Sequence, residues 1–292
     1  MEKVKYTRNE SLKSQIANAK LIIVHGGQQV HFDEFFACAI ARWCGCQAPI
    51  VRRNPTEAEL ADPSVLVMDV GMQFEATLLN FDHHEDRDMP SAYYLLATCL
   101  GVTIELEKVF RWFKIWSDID AHGPFKTAED FQLHWEQVAQ FLNPVDETVL
   151  RLWGQDTAWG ERILQELATM LHGVLDLDEK GRTPCQAIEQ DAKIYGINRK
   201  VIVDMRGINK YREWQAALID DVEGSVKIFD DDREPFGIGL LRTQNDLDVD
   251  FNRIKGQPHV SFIHPGGFIA KLDTKDVSDE DINKLITMAI KA

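Results

Sequence analysis

LLNFDHHED, residues 78–86, passes in one step from an apolar run to three acids and two imidazoles. Neighbouring side chains on an extended strand point to opposite faces, so His83 and His84 serve one site only if the strand has ended and the chain has begun to turn. The stretch reads as a strand ending at Phe81 that delivers Asp82, His83 and His84 into a cleft. A solvated turn is the alternative, and the rest of the chain has to decide.

Outward from this stretch, residues 20 to 134 alternate short apolar strands with amphipathic helices: LIIV (21–24), EFFACAIARW, PIVRR, SVLVMDV, TLLNF and AYYLLATCLG. That order predicts an α/β domain with a largely parallel sheet over residues 1–135. In its first helix Phe35, Phe36, Ala39, Ile40 and Trp43 share a face, Gly45 is the stop signal, and Asp33 lies at the N-terminus. The pattern from 128 to 176 is almost wholly helical, with Trp135, Val138, Phe141, Leu150 and Leu171 among its apolar positions. Residues 136–184 therefore read as a helical connector ending in the charged linker LDLDEKGRTP (175–184). Residues 185–292 predict a smaller α+β domain. It begins with a helix carrying Ile188, Ala192 and Ile194, followed by the strand VIVDM and a helix around Trp214 to Ile219. Strands near 225–230, 236–242 and 259–263 and a terminal helix DEDINKLITMAIK complete it.

With 292 residues, 45% of them hydrophobic, the chain can build a core in each of two domains. A net charge of −15 disfavours coating long nucleic acid, which draws its free energy from Lys and Arg on phosphates. A short oligonucleotide or another small phosphoester held by metal remains compatible with it. The five cysteines are odd in number and sit mostly in apolar helical patterns, which suits a reducing cytoplasm. No apolar run approaches a membrane span, so a membrane partner is not expected, while a homo-oligomer is left open.

Polar groups recur where the first domain's strands end: His25, His31, Asp33 and Glu34 after LIIV, Asp69 in VMDVG, and Asp82, His83 and His84 in NFDHH. WSDIDAHG adds Asp118, Asp120 and His122. The carboxyl ends of strands form the binding crevice of open α/β sheets, so these segments can converge across the chain. A mixed imidazole and carboxylate set suits Mn²⁺, with Mg²⁺ the alternative, and several carboxylates in a small space require cations. Two divalent ions, bridged by a carboxylate and holding a hydroxide, would suit in-line attack on a phosphoester.

Asp82-His83-His84 after a strand, with an upstream His/Asp motif, a strand-end Asp and a later acidic motif, resembles the DHH phosphoesterase superfamily, which includes RecJ-type exonucleases, oligoribonucleases and inorganic pyrophosphatases. The chain is more similar to the branch containing the melanocyte-proliferating-gene family, also known as a metal-dependent protein hydrolase-like family. Its first motif, roughly His-Asn-Gly-x-Phe-His-x-Asp-Glu, is paralleled by His25 through Glu34, and SFIHPGGFIAKL resembles its His-x-x-Gly-Phe-Ile element. The resemblance is strongest over residues 22 to 101. It implies a DHH-like N-terminal domain with His25, His31, Asp33, Asp69, Asp82, His83 and Asp120 as metal ligands, Asp69 bridging. His83 and His84 would be catalytic, His84 alternatively positioning the phosphate. His264, Gly266 and Gly267 would contact substrate from a C-terminal domain that closes over the cleft. The chain departs from the pattern twice: one extra residue separates the first motif's histidines, and Asp-Ala-His-Gly replaces Asp-Asn-Gly, leaving the choice among Asp118, Asp120 and His122 open.

Each residue also has an ordinary structural reading. Glu34 is expected to be structural, because an acid in a helix's first turn is favoured by the macrodipole. His264-Pro265-Gly266-Gly267 reads equally as a turn, and Trp112, Trp116 and Trp135 read as core rather than as base-stacking platforms. Arg206 and Lys210 read as surface. The expected function is a metal-dependent phosphodiesterase, a 3′ to 5′ exonuclease on short RNA or DNA. The alternative is a catalytically degenerate DHH-like protein that senses nucleotides or binds a partner.

Overall fold

Leu21-Ile22-Ile23-Val24 begins the first sheet as β1 (Leu21–Val24), and its last three residues are wholly buried, as an apolar run flanked by helices demands. The computed structural model describes residues 8–26, 30–86, 88–110, 112–139, 144–155, 157–208, 224–233, 235–243 and 246–291. Gly27, Gln28, Gln29, Phe141, Lys210 and the helix expected around Trp214 to Ile219 lie outside them. The chain divides into two units, Met1–Asp176 and Leu177–Ala292, and the division falls inside the stretch 136–184 read as connector.

In the first unit β1 lies between β2 (Ile50–Arg52) and β3 (Val65–Met68), parallel to both, and β3 is parallel to β5 (Asn80–Phe81). The edge strand β4 (Phe74–Glu75) runs antiparallel to β5, so the sheet, ordered β2-β1-β3-β5-β4, is mixed. Register is the feature that positions the site. Val24 pairs with Met68 and Met68 with Phe81, so the next residues, His25, Asp69 and Asp82, begin a row across the carboxyl edge. Strands about 4.8 Å apart bring such a row within reach of one ligand.

The helix α1 (Phe32–Trp43) follows β1. Every residue from Asp33 to Trp43 is buried, because the helices α2 (Ala92–Leu100) and α3 (Thr157–Leu175) both pack on it. A one-sided stripe was expected; a helix enclosed by its neighbours is instead apolar nearly all round, as FFACAIA is. Gly45, at φ 97°, provides the left-handed residue after its end. The helices Pro144–Gln155 and Thr157–Leu175 thus belong to the first unit.

In the second unit six strands order as β10-β11-β9-β8-β7-β6: β6 (Lys193–Ile197), β7 (Lys200–Asp204), β8 (Val226–Asp230), β9 (Ile238–Arg242), β10 (Val260–Ile263) and β11 (Ile269–Leu272). Among the described strands of this second sheet, only β7 and β8 pair in parallel. Ile228, Leu240, Ala270 and Leu272 on one face pack with Ile282, Leu285 and Ile286 of the helix Asp279–Ala289 in one apolar cluster. The molecule is therefore mixed α/β with two mixed sheets.

Three local expectations differ from the structure. TLLNF gives a strand only at its last two residues, because Ala76–Leu78 turns as a 3₁₀ segment and Leu79 takes φ 59°. Ile194 lies on β6, not on a helix, and is 58% exposed. Trp135 is 46% exposed beside Phe125, whereas Trp112 and Trp116 are half-buried and pack on Phe32.

Candidate metal centre

The carboxyl ends of β3 and β5 deliver their polar residues to one place, and α1, which follows β1, completes it with the helix α4 (Phe113–His122). Asp33, Asp69, His83 and Asp120 each offer a ligand atom, all within 4.8 Å of one another, and Asp69, Asp82, His83 and His84 form a second such group. Asp69 and His83 are common to both.

His83 is the hub. Its Nε2 lies 3.2 Å from Asp120 Oδ2, 3.5 Å from Asp69 Oδ1 and 3.6 Å from Asp33 Oδ2. Burial by itself disfavours the charged ring, but the pull of Asp120, Asp69 and Asp33 outweighs it and pushes the pKa up to about 10. Burial, reinforced by Asp69 and Asp120, raises the Asp33 pKa well above the ordinary carboxylate range. The arrangement holds charge that a cation would offset.

Asp33 is held in place by the start of α2: its Oδ2 accepts from Ala92 N–H and its Oδ1 from Tyr93 N–H, each at 2.7 Å. The small pair Ser91-Ala92 lets that helix end approach, and its N-terminal dipole favours the carboxylate. Asp69 sits at φ 57°, a conformation that Asp tolerates better than most residues. Asp82 is a buried organiser. Its Oδ2 accepts from Met72 N–H at 2.6 Å, while Oδ1 accepts from His83 N–H at 2.8 Å and faces His84 Nδ1 at 2.6 Å. These partners hold its pKa down although burial works the other way. The bond to Asp82 places a proton on His84 Nδ1, and in the neutral ring Nε2 is then the acceptor.

His31 and His25 stand at the margin. His31 Nδ1 is 3.9 Å from Asp69 Oδ2, and the His25 ring stacks on His31 with centroids 5.3 Å apart; neither enters the two groups. The acidic motif divides. Asp118 Oδ2 pairs with Lys114 Nζ at 2.7 Å while Asp120 faces His83, and His122 is exposed and outside both groups. Glu34 does more than meet a dipole: it is fully buried, accepts from Arg52 Nη1 at 2.8 Å and from His31 N–H at 3.2 Å, and burial lifts its pKa to about 7 against the pull of Arg52. Sequence reading passed over Arg52. The signal lay in register, which sets Arg52 opposite Val24 at the same edge.

His264, Gly266 and Gly267 lie in the second unit, in the turn between β10 and β11. Gly266 N–H donates to His264 Nδ1 at 3.1 Å and Gly267 N–H to His264 O at 2.8 Å, so both amides are spent within the turn. Gly267 is required at φ 64°, where a Cβ would collide with Asp250.

The donor set fits a divalent ion. An ion bound at about 2.1 Å to two donors roughly 90–110° apart sets them about 3.0–3.4 Å from each other, close to the His83 to carboxylate distances. Among the described residues Asp69 Oδ2 and His83 Nε2 are buried with no hydrogen-bond partner, as atoms reserved for a ligand are. His83, Asp33, Asp69 and Asp120 would hold one ion. Asp69 with Asp82 and His84 would border a second.

Residues 21–94 match one family model. It is described as an uncharacterised protein family (UPF0160) and carries the name MYG1_exonuc. The matched residues contain every strand of the first sheet and, of the cluster, all but Asp120. Among curated proteins and among solved structures none matches the chain. The exonuclease of that name belongs to the family model; in this chain the buried acid and histidine cluster could hold a divalent metal ion.

Proposed function

We propose that the protein is a metal-dependent phosphodiesterase acting as a 3′ to 5′ exonuclease on short RNA or DNA, with the DHH layout in its first unit. The observation that carries this reading is the convergence of Asp33, Asp69, His83 and Asp120 on one buried point, with Asp69 and His83 shared by Asp82 and His84. Two divalent ions, Mn²⁺ in preference to Mg²⁺, suit this mixed nitrogen and oxygen set. When bound they would acidify a water molecule and offset charge on the phosphoryl oxygens. The protein's own residues do the rest. His84, half exposed with Nδ1 on Asp82, turns Nε2 outward, where the neutral ring would receive a proton or the charged ring orient a phosphoryl oxygen. Asp82 fixes its ring, and Asp33 is braced by α2. Within the second unit, the His264 ring is the group of the His264–Gly267 turn left to meet a ligand, because the Gly266 and Gly267 amides are spent inside the turn. No helix among the described residues is long and apolar enough to cross a membrane.

The test is release of mononucleotide from a labelled five-nucleotide RNA and its DNA counterpart, with Mn²⁺, Mg²⁺ or chelator. Metal-dependent release from the labelled 3′ end is expected. Stoichiometric metal binding without release would favour another phosphoester, and no metal binding would favour the degenerate sensor.

A paired substitution tests the ligand assignment. Asp120→Asn is expected to weaken Mn²⁺ binding at least tenfold by calorimetry. Asp118→Asn, which loses only an i,i+4 pair with a half-exposed lysine worth under about 1 kcal/mol, should bind metal like the parent. Equal losses in both would sink the assignment of Asp120.

A further inference from the structure

A cavity of about 700 Å³ lies in the first unit, walled by Arg42, Gln47, Ile50, Arg52, Trp153 and Glu161. Two contacts tie it to Val30 and His31, at the margin of the metal centre. Arg52, in its wall, reaches Glu34 at 2.8 Å, and Glu34 accepts from His31 N–H. Gly154, also in the wall, sits where a Cβ would come within 2.6 Å of Val30, so it is the absence of a side chain that lets Val30 pack against that wall.

The cavity's charge is already balanced. Arg42 is buried, with Nε and Nη2 on Glu161 at 2.7 and 2.8 Å and further bonds to the carbonyls of Cys46 and Ala48. Arg52 is offset by Glu34 and stacks over the Trp153 ring at 5.3 Å. A phosphate entering here would meet two carboxylates along with two committed arginines. The site therefore suits an uncharged group, and its volume lies in the range of pockets that enclose a whole small organic ligand. Inorganic pyrophosphate would leave it empty. Ile50 and Trp153 supply apolar walls. Gln165 bridges Gln47, at 3.4 Å, to Glu161, at 2.8 Å, giving a rim of amide donors and acceptors beside a carboxylate. That is the chemistry that reads the edge of a nucleobase.

We propose that this cavity receives the uncharged nucleoside part of a substrate whose phosphoester lies at the metal centre, with Gln47 and Glu161 as specificity-determining residues. The inference rests on the phosphodiesterase reading for the reacting group only.

Calorimetric titration of the full chain with AMP, UMP and inorganic phosphate, each with Mn²⁺, tests it against Gln47→Trp, which fills the cavity from an exposed position, and Gln47→Glu, which changes charge but hardly shape. Unchanged melting temperatures establish that both variants fold. At least one monophosphate is expected to bind at least tenfold tighter than phosphate. That advantage should vanish in Gln47→Trp and fall several-fold in Gln47→Glu, while phosphate binding stays the same. Monophosphate binding no tighter than phosphate, or unaffected by both variants, overturns the cavity's role even if oligonucleotides are cleaved. The expected binding pattern without metal-dependent cleavage keeps the cavity and removes the phosphodiesterase.

Discussion

Asp69→Asn is expected to fold like the parent chain, to lose the second ion, and to drop kcat/KM for oligonucleotide hydrolysis by on the order of 10³, about 4 kcal/mol of transition-state stabilisation. The residue's two oxygens face different histidines: Oδ1 lies 3.5 Å from His83 and 3.9 Å from His84, and Oδ2 lies 3.9 Å from His31. Asn keeps the shape and tolerates φ 57°, but it removes the negative charge common to both groups. Ala would add a backbone penalty of about 1 kcal/mol in that conformation, confusing lost chemistry with lost fold. Calorimetry with Mn²⁺ should show a reduced stoichiometry, and thermal melting without metal should change little. Full activity in Asp69→Asn would remove Asp69 from the site.

Phe36→Ala is expected to destabilise the first unit by about 3–5 kcal/mol, the cost of deleting a buried ring without collapse of the space it leaves. Phe36 is 1% exposed and packs edge-on against Tyr93, Phe110, Trp112 and Phe113, with Phe32 stacked beside it. The same helix carries Asp33, so loosening it also misplaces a ligand; metal affinity should fall together with stability. Six of the seven tryptophans lie in residues 1–176, so indole fluorescence during denaturant unfolding follows this unit. The chain has two units, and its unfolding need not be one transition. A shift of under about 1 kcal/mol in the fluorescence transition would show that the aromatic cluster repacks around the gap.

The comparison of Asp118 with Asp120 shows where reading a sequence ends. Two residues apart on a helix are turned by about 200°, so one faces Lys114 on its own helix and the other faces His83. Both look alike in WSDIDAHG, because the phase of that helix against the sheet is set by packing contacts far along the chain. Glu34 and Arg52 were missed as a pair for a similar reason: eighteen positions separate them, and only the register of β2 on β1 brings them together.

By itself the order of residues determined the alternation of strands and helices in the first unit and the charged ends of β1, β3 and β5. It also determined that Asp33 would open a helix, because apolar period and polar stops are local properties of the chain. Tertiary structure alone decided that His83 is the hub, that His25 and His31 stand at the margin, and that the His264 turn spends its glycine amides on itself. These depend on register, helix phase and burial. They are set by distant parts of the chain packing together, and no short stretch of sequence contains them.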